Sequence, residues 1–304
     1  MRELVVLGTS SQVPTRERNH NGYLLRWDGE RGGEGVLFDP GEGTQRQMTL
    51  AGVAASSVTR ICLTHVHGDH CWGLPGVLSR MVLDGVEHPV HLHHPASGAD
   101  VVRALVGLAT PGLDLRLVPH GAAGPVAPGI EVVPLRHRVE TFGYRVSEPD
   151  GWTVQAERAR AAGVEGPDVG RLLHEGTLRG VRVEDVAVPR RGQRVAVVMD
   201  TAVCAGAEEL ADRADVLLVE ATYADDDAPL AERYLHLTAG QAGALARGRD
   251  VRRLVLTHFS SRYADLDPLL RQATDASREP DGTGPDVVLA HDLQRVALPR
   301  RRAA

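Results

Sequence analysis

The sequence HVHGDH, at positions 65–70, places three histidines and one aspartate within six residues. Such side chains gain little from packing in a core, because a buried polar group needs a partner. Gly68 allows the backbone to turn, so that the neighbouring side chains can converge. Imidazole nitrogens and a carboxylate oxygen together suit zinc or a similar borderline cation. We therefore predict that this cluster binds metal, at the end of the apolar strand that precedes it.

Four ligands in one loop cannot complete the coordination of two metal ions, so further ligands must come from elsewhere in the chain. Three candidates each follow an apolar run typical of a buried strand: His137 in VVPLRHR, Asp200 in VAVVMDT and His258 in LVLTHFS. Sites in α/β proteins collect at the carboxyl ends of such strands. A single histidine in this position is more often a hydrogen-bonded structural residue, but the three residues together favour a metal site.

Apolar runs typical of strands alternate with helix-like segments along most of the chain. This alternation predicts an α/β architecture. The predicted strands cover 3–8, 23–27, 36–39, 58–65, 89–94, 113–118, 195–200, 216–221 and 254–259, and the predicted helices cover 44–51, 73–83, 97–108 and 206–213.

Residues 151–194 interrupt this alternation. The segment contains seven glycines and carries eight arginines against six acidic residues, and only a short helix near 169–176 is predicted within it. A segment of this length inside a compact domain is either a projecting functional arm or a disordered insertion.

Composition limits the function further. The net charge of −6 argues against a protein coated in positive charge for nucleic-acid binding, although it allows a local basic surface. All 34 basic residues are arginine, whose planar guanidinium suits phosphate contacts. Three cysteines without a CxxC pair make a disulfide framework improbable. No apolar run approaches the roughly 18 residues that span a bilayer, and the N-terminus lacks a secretory signal, so we expect a cytoplasmic protein without membrane contact.

The HVHGDH motif, followed by distant His, Asp and His residues, resembles the metallo-β-lactamase superfamily. The resemblance implies a four-layer αββα sandwich that forms a single domain over residues 1–304, with an inserted flexible arm at about 151–194. It also implies two Zn²⁺ per chain, other divalent metals being possible. One ion would be bound by His65, His67 and His137 and the other by Asp69, His70 and His258, with Asp200 bridging them.

Within that superfamily the chain resembles the ribonuclease Z family, through LVVLGTSSQVPTRERNHNGYLL, GEGTQRQM, HGDHCWGLPGVL, HRVETFGYRV, DVLLVEATY, HLTAGQAG and LTHFSSRY. The resemblance implies an endoribonuclease that removes the 3′ trailer of precursor tRNA and leaves a 3′ hydroxyl on the tRNA and a 5′ phosphate on the trailer. It further implies a homodimer in which the arm of one subunit docks tRNA for the other.

Individual roles follow from the same resemblance. Asp69 would orient or deprotonate the attacking water, and His236 would protonate the leaving oxygen. Thr238 follows His236 in the same loop, where Leu237 replaces the serine usual in the family. Glu220 would orient His236, or this carboxylate would instead have a local structural role. The loop PTRERN would contact RNA phosphate through Arg16, Arg18 and Asn19, unless it is an ordinary solvated loop.

Two other functions remain compatible with the sequence. The first is a metal-dependent hydrolase of small phosphodiesters or sulfate esters on the same fold, for which an arm would have little purpose. The second is a catalytically silent RNA-binding protein, which would have no reason to retain both Asp69 and Asp200.

Overall fold

The computed structural model describes residues 2–29 and 32–301 of the chain. The strands are β1 (Glu3–Gly8), β2 (Gly22–Gly29), β3 (Gly32–Phe38), β4 (Val58–Cys62), β5 (Val90–Pro95), β6 (Leu115–His120), β7 (Gly124–Ala127), β8 (Ile130–Pro134), β9 (Phe142–Ser147), β10 (Gly151–Val154), β11 (Thr177–Leu178), β12 (Val181–Arg182), β13 (Ala187–Arg190), β14 (Arg194–Val198), β15 (Val216–Glu220), β16 (Arg253–Thr257), β17 (Asp286–Leu289) and β18 (Arg295–Ala297).

The α-helices are mostly short, and 3₁₀ turns at Ala55–Ser57, Ala96–Gly98 and Asp225–Asp227 supplement them. They are α1 (Thr44–Leu50), α2 (Gly68–Cys71), α3 (Leu74–Leu83), α4 (Ala99–Gly107), α5 (Ala156–Ala161), α6 (Pro167–Glu175), α7 (Val183–Val186), α8 (Ala205–Ala211), α9 (Ala228–Tyr234), α10 (Ala239–Ala246) and α11 (Asp267–Ser277). Within the described residues, no helix is both long and apolar enough to cross a membrane.

Two seven-stranded sheets form the larger part of the structure. The first has the order β18-β1-β2-β3-β4-β5-β6, and its strands run parallel from β3 to β6. The second has the order β17-β16-β15-β14-β9-β8-β7, with β14 to β17 parallel. Parallel strands need crossover connections, which the helices between them provide.

Successive side chains along each strand point to opposite faces of the sheet, so they pack into two different apolar clusters. In β1, Leu4 and Val6 join a cluster shared by both sheets, whereas Val5 and Leu7 pack with helices α1, α3 and α4. In β15, alternate residues likewise face the first sheet or helices α8, α10 and α11. Because both faces of each sheet are covered, the strands are nearly continuous apolar runs. The four layers confirm the predicted αββα sandwich.

Three strands end two or three residues earlier than the sequence predicted. The strand expected over 58–65 ends at Cys62, that over 195–200 ends at Val198, and that over 254–259 ends at Thr257. The last two stop before residues with left-handed backbone angles, φ 27° at Asp200 and φ 59° at His258. Such angles cannot continue a strand, and they turn these side chains out of the sheet.

Residues 147–194, together with Arg300 and Arg301, form a second compact unit. It contains the antiparallel strand pairs β10–β13 and β11–β12 and helices α5 to α7. Its core is built from small and branched apolar residues, Ala159, Val164, Leu172, Leu178, Val183, Val186 and Ala187. The segment that interrupts the sequence pattern therefore has regular elements and an apolar core of its own.

Candidate metal centre

The loop after β4 and the first turn of α2 carry the HVHGDH motif. His65 and His67 lie in the loop, and His67 is the N-cap of α2, while Asp69 and His70 lie inside the helix. An added Cβ at Gly68 would lie 2.1 Å from the Trp72 ring, so a larger residue here would have to displace this 61% exposed side chain.

The three distant candidates come to the same place. His137 follows β8, Asp200 follows β14 and His258 follows β16, all in the second sheet. Their side chains are buried, and their donor atoms face those of the HVHGDH loop. The structure thus brings together all seven residues that the sequence predicted as metal ligands.

The first group of donor atoms consists of His65, His67, His137 and Asp200, and these atoms lie within 4.8 Å of one another. Nε2 of His65 is 2.9 Å from Nδ1 of His67. Oδ2 of Asp200 is 3.6 Å from Nε2 of His65 and 3.6 Å from Nε2 of His137. Three imidazoles and one carboxylate are a suitable donor set for zinc.

The second group consists of Asp69, His70 and His258. Oδ2 of Asp69 is 3.4 Å from Nε2 of His70 and 3.6 Å from Nε2 of His258. The other oxygen of Asp200, Oδ1, is 3.2 Å from Nε2 of His70 and 3.1 Å from Nε2 of His258. Asp200 therefore directs one carboxylate oxygen toward each group.

Three buried atoms in these groups have no hydrogen-bond partner: Oδ1 of Asp200, Nε2 of His137 and Nε2 of His258. A buried polar atom without a partner is costly. Cations coordinated by these atoms would remove that cost, so the residues fit a metal centre. Cys71 belongs to neither group, and its Sγ lies 3.1 Å from the carbonyl oxygen of His67.

Hydrogen bonds to residues outside the two donor groups fix the orientation of the His65 and His70 rings. Nδ1 of His70 is 2.9 Å from Oδ2 of Asp39, and the Thr64 hydroxyl donates to the same carboxylate at 2.7 Å. The Thr64 hydroxyl also lies 3.1 Å from Nδ1 of His65. Such contacts set the tautomer of a metal-binding histidine. Sequence reasoning missed Asp39, although it follows the apolar run VLF in the same way as the ligands follow theirs.

Similar contacts hold the ligands of the second sheet. Nδ1 of His258 is 2.7 Å from the hydroxyl of Thr222, and Nδ1 of His137 is 3.1 Å from the carbonyl oxygen of Leu235. In both rings the other nitrogen, Nε2, therefore faces the remaining donor atoms of the metal centre. The backbone N–H of Gln12 donates to Oδ2 of Asp69 at 2.9 Å, which fixes that carboxylate as well.

His236 lies beside the two groups, in the turn between α9 and α10. Its Nδ1 is 3.1 Å from both oxygens of Glu220, and its Nε2 is 3.9 Å from Oδ2 of Asp200. Burial disfavours the protonated ring, but the carboxylates of Glu220 and Asp200 outweigh it and raise the pKa of His236 to about 9. By contrast, burial lowers the pKa of His65 and of His137, which favours the neutral rings that bind metal.

The three residues predicted to contact RNA phosphate, Arg16, Arg18 and Asn19, differ in exposure and in their hydrogen bonds. Arg16 is exposed. The guanidinium of Arg18 donates to the carbonyl oxygens of Ser260 and Tyr263, at 3.1 Å each. The side-chain amide of Asn19 donates to the backbone carbonyls of His20 and Glu42. Phosphate binding by Arg18 and Asn19 stays a prediction, and both side chains already hold the protein's own loops.

Thr238 also has a structural role. Its hydroxyl accepts a hydrogen bond from the Gln241 N–H at 3.2 Å, and the Gln241 side chain accepts one from the Thr238 N–H, which completes a capping box for α10. Leu237, which replaces the expected serine, is fully buried in the helix-covered core of the second sheet. The substitution anchors the turn that carries His236.

Sequence comparisons agree with the geometry. The family model of the metallo-β-lactamase superfamily matches residues 15–175. The chain is 54% identical to ribonuclease Z of Nocardia farcinica and 51% identical to ribonuclease Z of Streptomyces coelicolor, and each alignment covers 99% of both chains.

Among solved structures, the short form of human tRNase Z superposes with a TM-score of 0.66 at 24% sequence identity, covering 98% of this chain and 100% of the human chain. At that identity the likeness shows the fold. The fold and the resemblance predicted from the sequence motifs are both confirmed. The chain belongs to the ribonuclease Z family of the metallo-β-lactamase superfamily.

Proposed function

We propose that this protein is a metal-dependent endoribonuclease that removes the 3′ trailer of precursor tRNA, leaving a 3′ hydroxyl on the tRNA and a 5′ phosphate on the trailer. The observation that carries the proposal is the convergence of seven histidine and aspartate side chains beside the His236–Glu220 pair. Full-length relatives named ribonuclease Z support the choice of substrate.

We assign two zinc ions to each chain. His65, His67 and His137 would hold one ion, Asp69, His70 and His258 the other, and Asp200 would contact both. Other divalent metals of similar preference could occupy the same donors. When bound, such a pair acidifies water and offsets negative charge on the phosphate.

Asp69 is the candidate for orienting the attacking water. The Gln12 N–H fixes Oδ2 of this carboxylate, which also faces His70 and His258. Because the carboxylate is held in place, it can accept a hydrogen bond from water with little loss of conformational freedom. The attack on phosphorus then proceeds in line with the departing oxygen.

His236 is the candidate for protonating the leaving 3′ oxygen. Glu220 occupies its Nδ1, so Nε2 is the atom that faces the cluster. Thr222 donates to Glu220 as well as contacting His258, so this carboxylate is firmly placed. The Glu220 carboxylate thus orients the His236 ring for proton transfer, as the aspartate of a Ser-His-Asp triad orients its histidine.

The unit at 147–194 is the candidate arm for docking the body of the tRNA. Its exposed arginines pair with neighbouring carboxylates, as Arg171 does with Asp168 and Arg182 with Glu184. Exposed pairs contribute little to stability, so phosphate groups can replace the carboxylates at small cost. We further propose a cytoplasmic homodimer, in which the arm of one subunit serves the site of the other.

The test is incubation of purified, zinc-loaded protein with one end-labelled precursor tRNA, followed by mapping of the cut. A single cut at the start of the trailer, with the stated end groups, supports the proposal. Faster hydrolysis of small phosphodiesters with no cleavage of precursor tRNA would favour the small-ester hydrolase. Tight RNA binding without cleavage, and with less than one zinc per chain, would favour the silent binder.

A further inference from the structure

A cavity of about 360 Å³ opens beside His236. Its lining includes the apolar side chains of Val203 and Pro229 and the polar side chains of Arg136, Glu232 and Gln241. Val203 is 43% exposed, although it is a large apolar side chain. A wall of this mixed kind, next to a proposed proton donor, suits a ligand that is partly flat and apolar and partly charged.

Arg136 is held at this cavity by its backbone. Its N–H donates to the Thr201 hydroxyl at 3.1 Å, and its carbonyl accepts from the Ala202 N–H at 2.9 Å. Among the described residues, none forms a hydrogen bond or ion pair with its exposed guanidinium, not even Glu232 in the same cavity. An anchored backbone with an unpaired guanidinium is suited to bind an anion.

The neighbouring arginine provides a contrast. Arg138 lies two positions further along the same loop and is also exposed. Its guanidinium lies 4.8 Å from the centre of the Tyr234 ring and donates to the carbonyl oxygen of Arg233 at 3.0 Å. Arg138 is thus committed to the protein itself and does not line the cavity.

Gln241 adds a donor at the cavity. Its Oε1 accepts the N–H of Thr238, which leaves the amide NH₂ for another acceptor. The cavity therefore offers groups for each part of one nucleotide. The guanidinium can bind the phosphate, the apolar side chains can contact the base, and the amide can donate to an edge of the base or the sugar.

We propose that this cavity binds the last nucleotide retained in the tRNA, with its 5′ phosphate at Arg136 and its base against Val203 and Pro229. The inference rests on the proposed function, since His236 must face the 3′ oxygen of that same nucleotide. Arg136 is then a substrate-binding residue that positions the scissile bond, and Val203 contributes a sequence-tolerant apolar contact.

The first test is Arg136→Gln with Arg138→Gln as its matched control. We expect Arg136→Gln to raise KM for precursor tRNA roughly tenfold, with a smaller change in kcat. The slope of log affinity against log salt should also fall by about 1. Arg138→Gln should change KM less than twofold, and Arg136→Lys should recover part of the loss. Thermal melts of all variants check folding.

The second test locates the contact on the substrate. A methylphosphonate at the 5′ phosphate of the last retained nucleotide should weaken product-tRNA binding to the wild-type holoenzyme. The same change should cost nothing further in Arg136→Gln. An abasic residue at that nucleotide should likewise weaken binding to the wild type, and weaken it less in Val203→Ala. Measuring the Kd of product tRNA keeps these readouts independent of catalysis.

The outcomes separate the two proposals. If the wild type does not cut precursor tRNA, the proposed function fails and this inference fails with it. If the wild type cuts, but the methylphosphonate penalty is undiminished in Arg136→Gln, only the cavity assignment is overturned. An Arg138→Gln effect as large as that of Arg136→Gln would overturn it in the same way.

Discussion

Charged side chains are buried at the metal-binding edge of the larger unit, whereas most ion-paired side chains of the unit formed by 147–194 are exposed. The side chain of Asp200 is 4% exposed and that of His65 is 0% exposed. In the smaller unit, Arg182 and Glu184 are 61% and 51% exposed in their ion pair. The charged groups of the first region are shielded from water. Those of the second region are exposed, so water and dissolved ions weaken their ion pairs.

This difference in burial indicates that the two regions have different functions. Buried carboxylates and imidazoles with unpartnered atoms are costly unless a cation completes them, so their arrangement serves chemistry. Exposed ion pairs are weak and exchange readily, so they suit the reversible docking of a polyanion. Changes in the buried edge should therefore abolish reaction, and changes in the smaller unit should alter binding and its dependence on salt.

The largest effect is expected from Asp69→Asn. The amide keeps the shape of the side chain but removes the negative charge that faces His70 and His258. We expect kcat on precursor tRNA to fall at least about 10⁴-fold. Asp114→Asn is the control, because this exposed carboxylate pairs only locally with Arg116 in the described structure. Cleavage by Asp69→Asn within tenfold of the wild-type rate would contradict the assigned role.

His236→Ala should come next. Loss of a proton donor should lower kcat on precursor tRNA roughly 10²- to 10³-fold. The effect on bis(p-nitrophenyl) phosphate should be much smaller, because p-nitrophenolate leaves without protonation. His88→Ala, at a half-buried histidine that contacts backbone carbonyls, is the control. Equal losses on both substrates would show that His236 acts on metal binding or folding instead.

Deletion of residues 155–185 should have a smaller effect and a selective one. We expect kcat/KM on precursor tRNA to fall roughly 10- to 100-fold, because the proposed docking contacts are lost. Hydrolysis of bis(p-nitrophenyl) phosphate should be spared, since the deleted residues contain none of the predicted ligands. If both activities were lost equally while the protein stayed folded, the separate docking role would be wrong.

The smallest effect is expected from Arg171→Gln in the same unit. Arg171 lies near the carboxylates of Asp168 and Glu175, both at 3.7 Å, in exposed pairs. The free energy of unfolding should change by less than about 1 kcal/mol. The affinity for precursor tRNA should fall only a few-fold, with a shallower salt dependence. A large loss of stability, measured by urea unfolding, would show that the pairs in this unit are structural.

The convergence of the candidate ligands at one edge could be predicted from the sequence because its signals are local. HVHGDH is contiguous, and Asp200 and His258 each follow an apolar strand whose carboxyl end must reach the same edge. The strand ends themselves were predicted too late, because left-handed φ angles at Asp200 and His258 cannot be seen in an apolar run.

Contacts between distant segments could not be predicted in the same way. The hydrogen bond from the Gln12 N–H to Asp69 joins residues 57 positions apart, and the Arg18 contact to Tyr263 spans 245 positions. An arginine in a loop has the same local pattern whether it faces phosphate or a backbone carbonyl. For the same reason, the sequence could not predict that the exposed guanidinium of Arg136 has no partner among the described residues.

Counting the metal ions in purified protein, by elemental analysis after removal of loosely bound metal, tests whether the seven converging side chains bind a metal pair. We expect two zinc equivalents per chain for the wild type and a clear reduction for Asp200→Asn, whose carboxylate faces both groups of donors. Less than one metal ion per chain in a folded wild-type protein that still cleaves precursor tRNA would contradict this expectation.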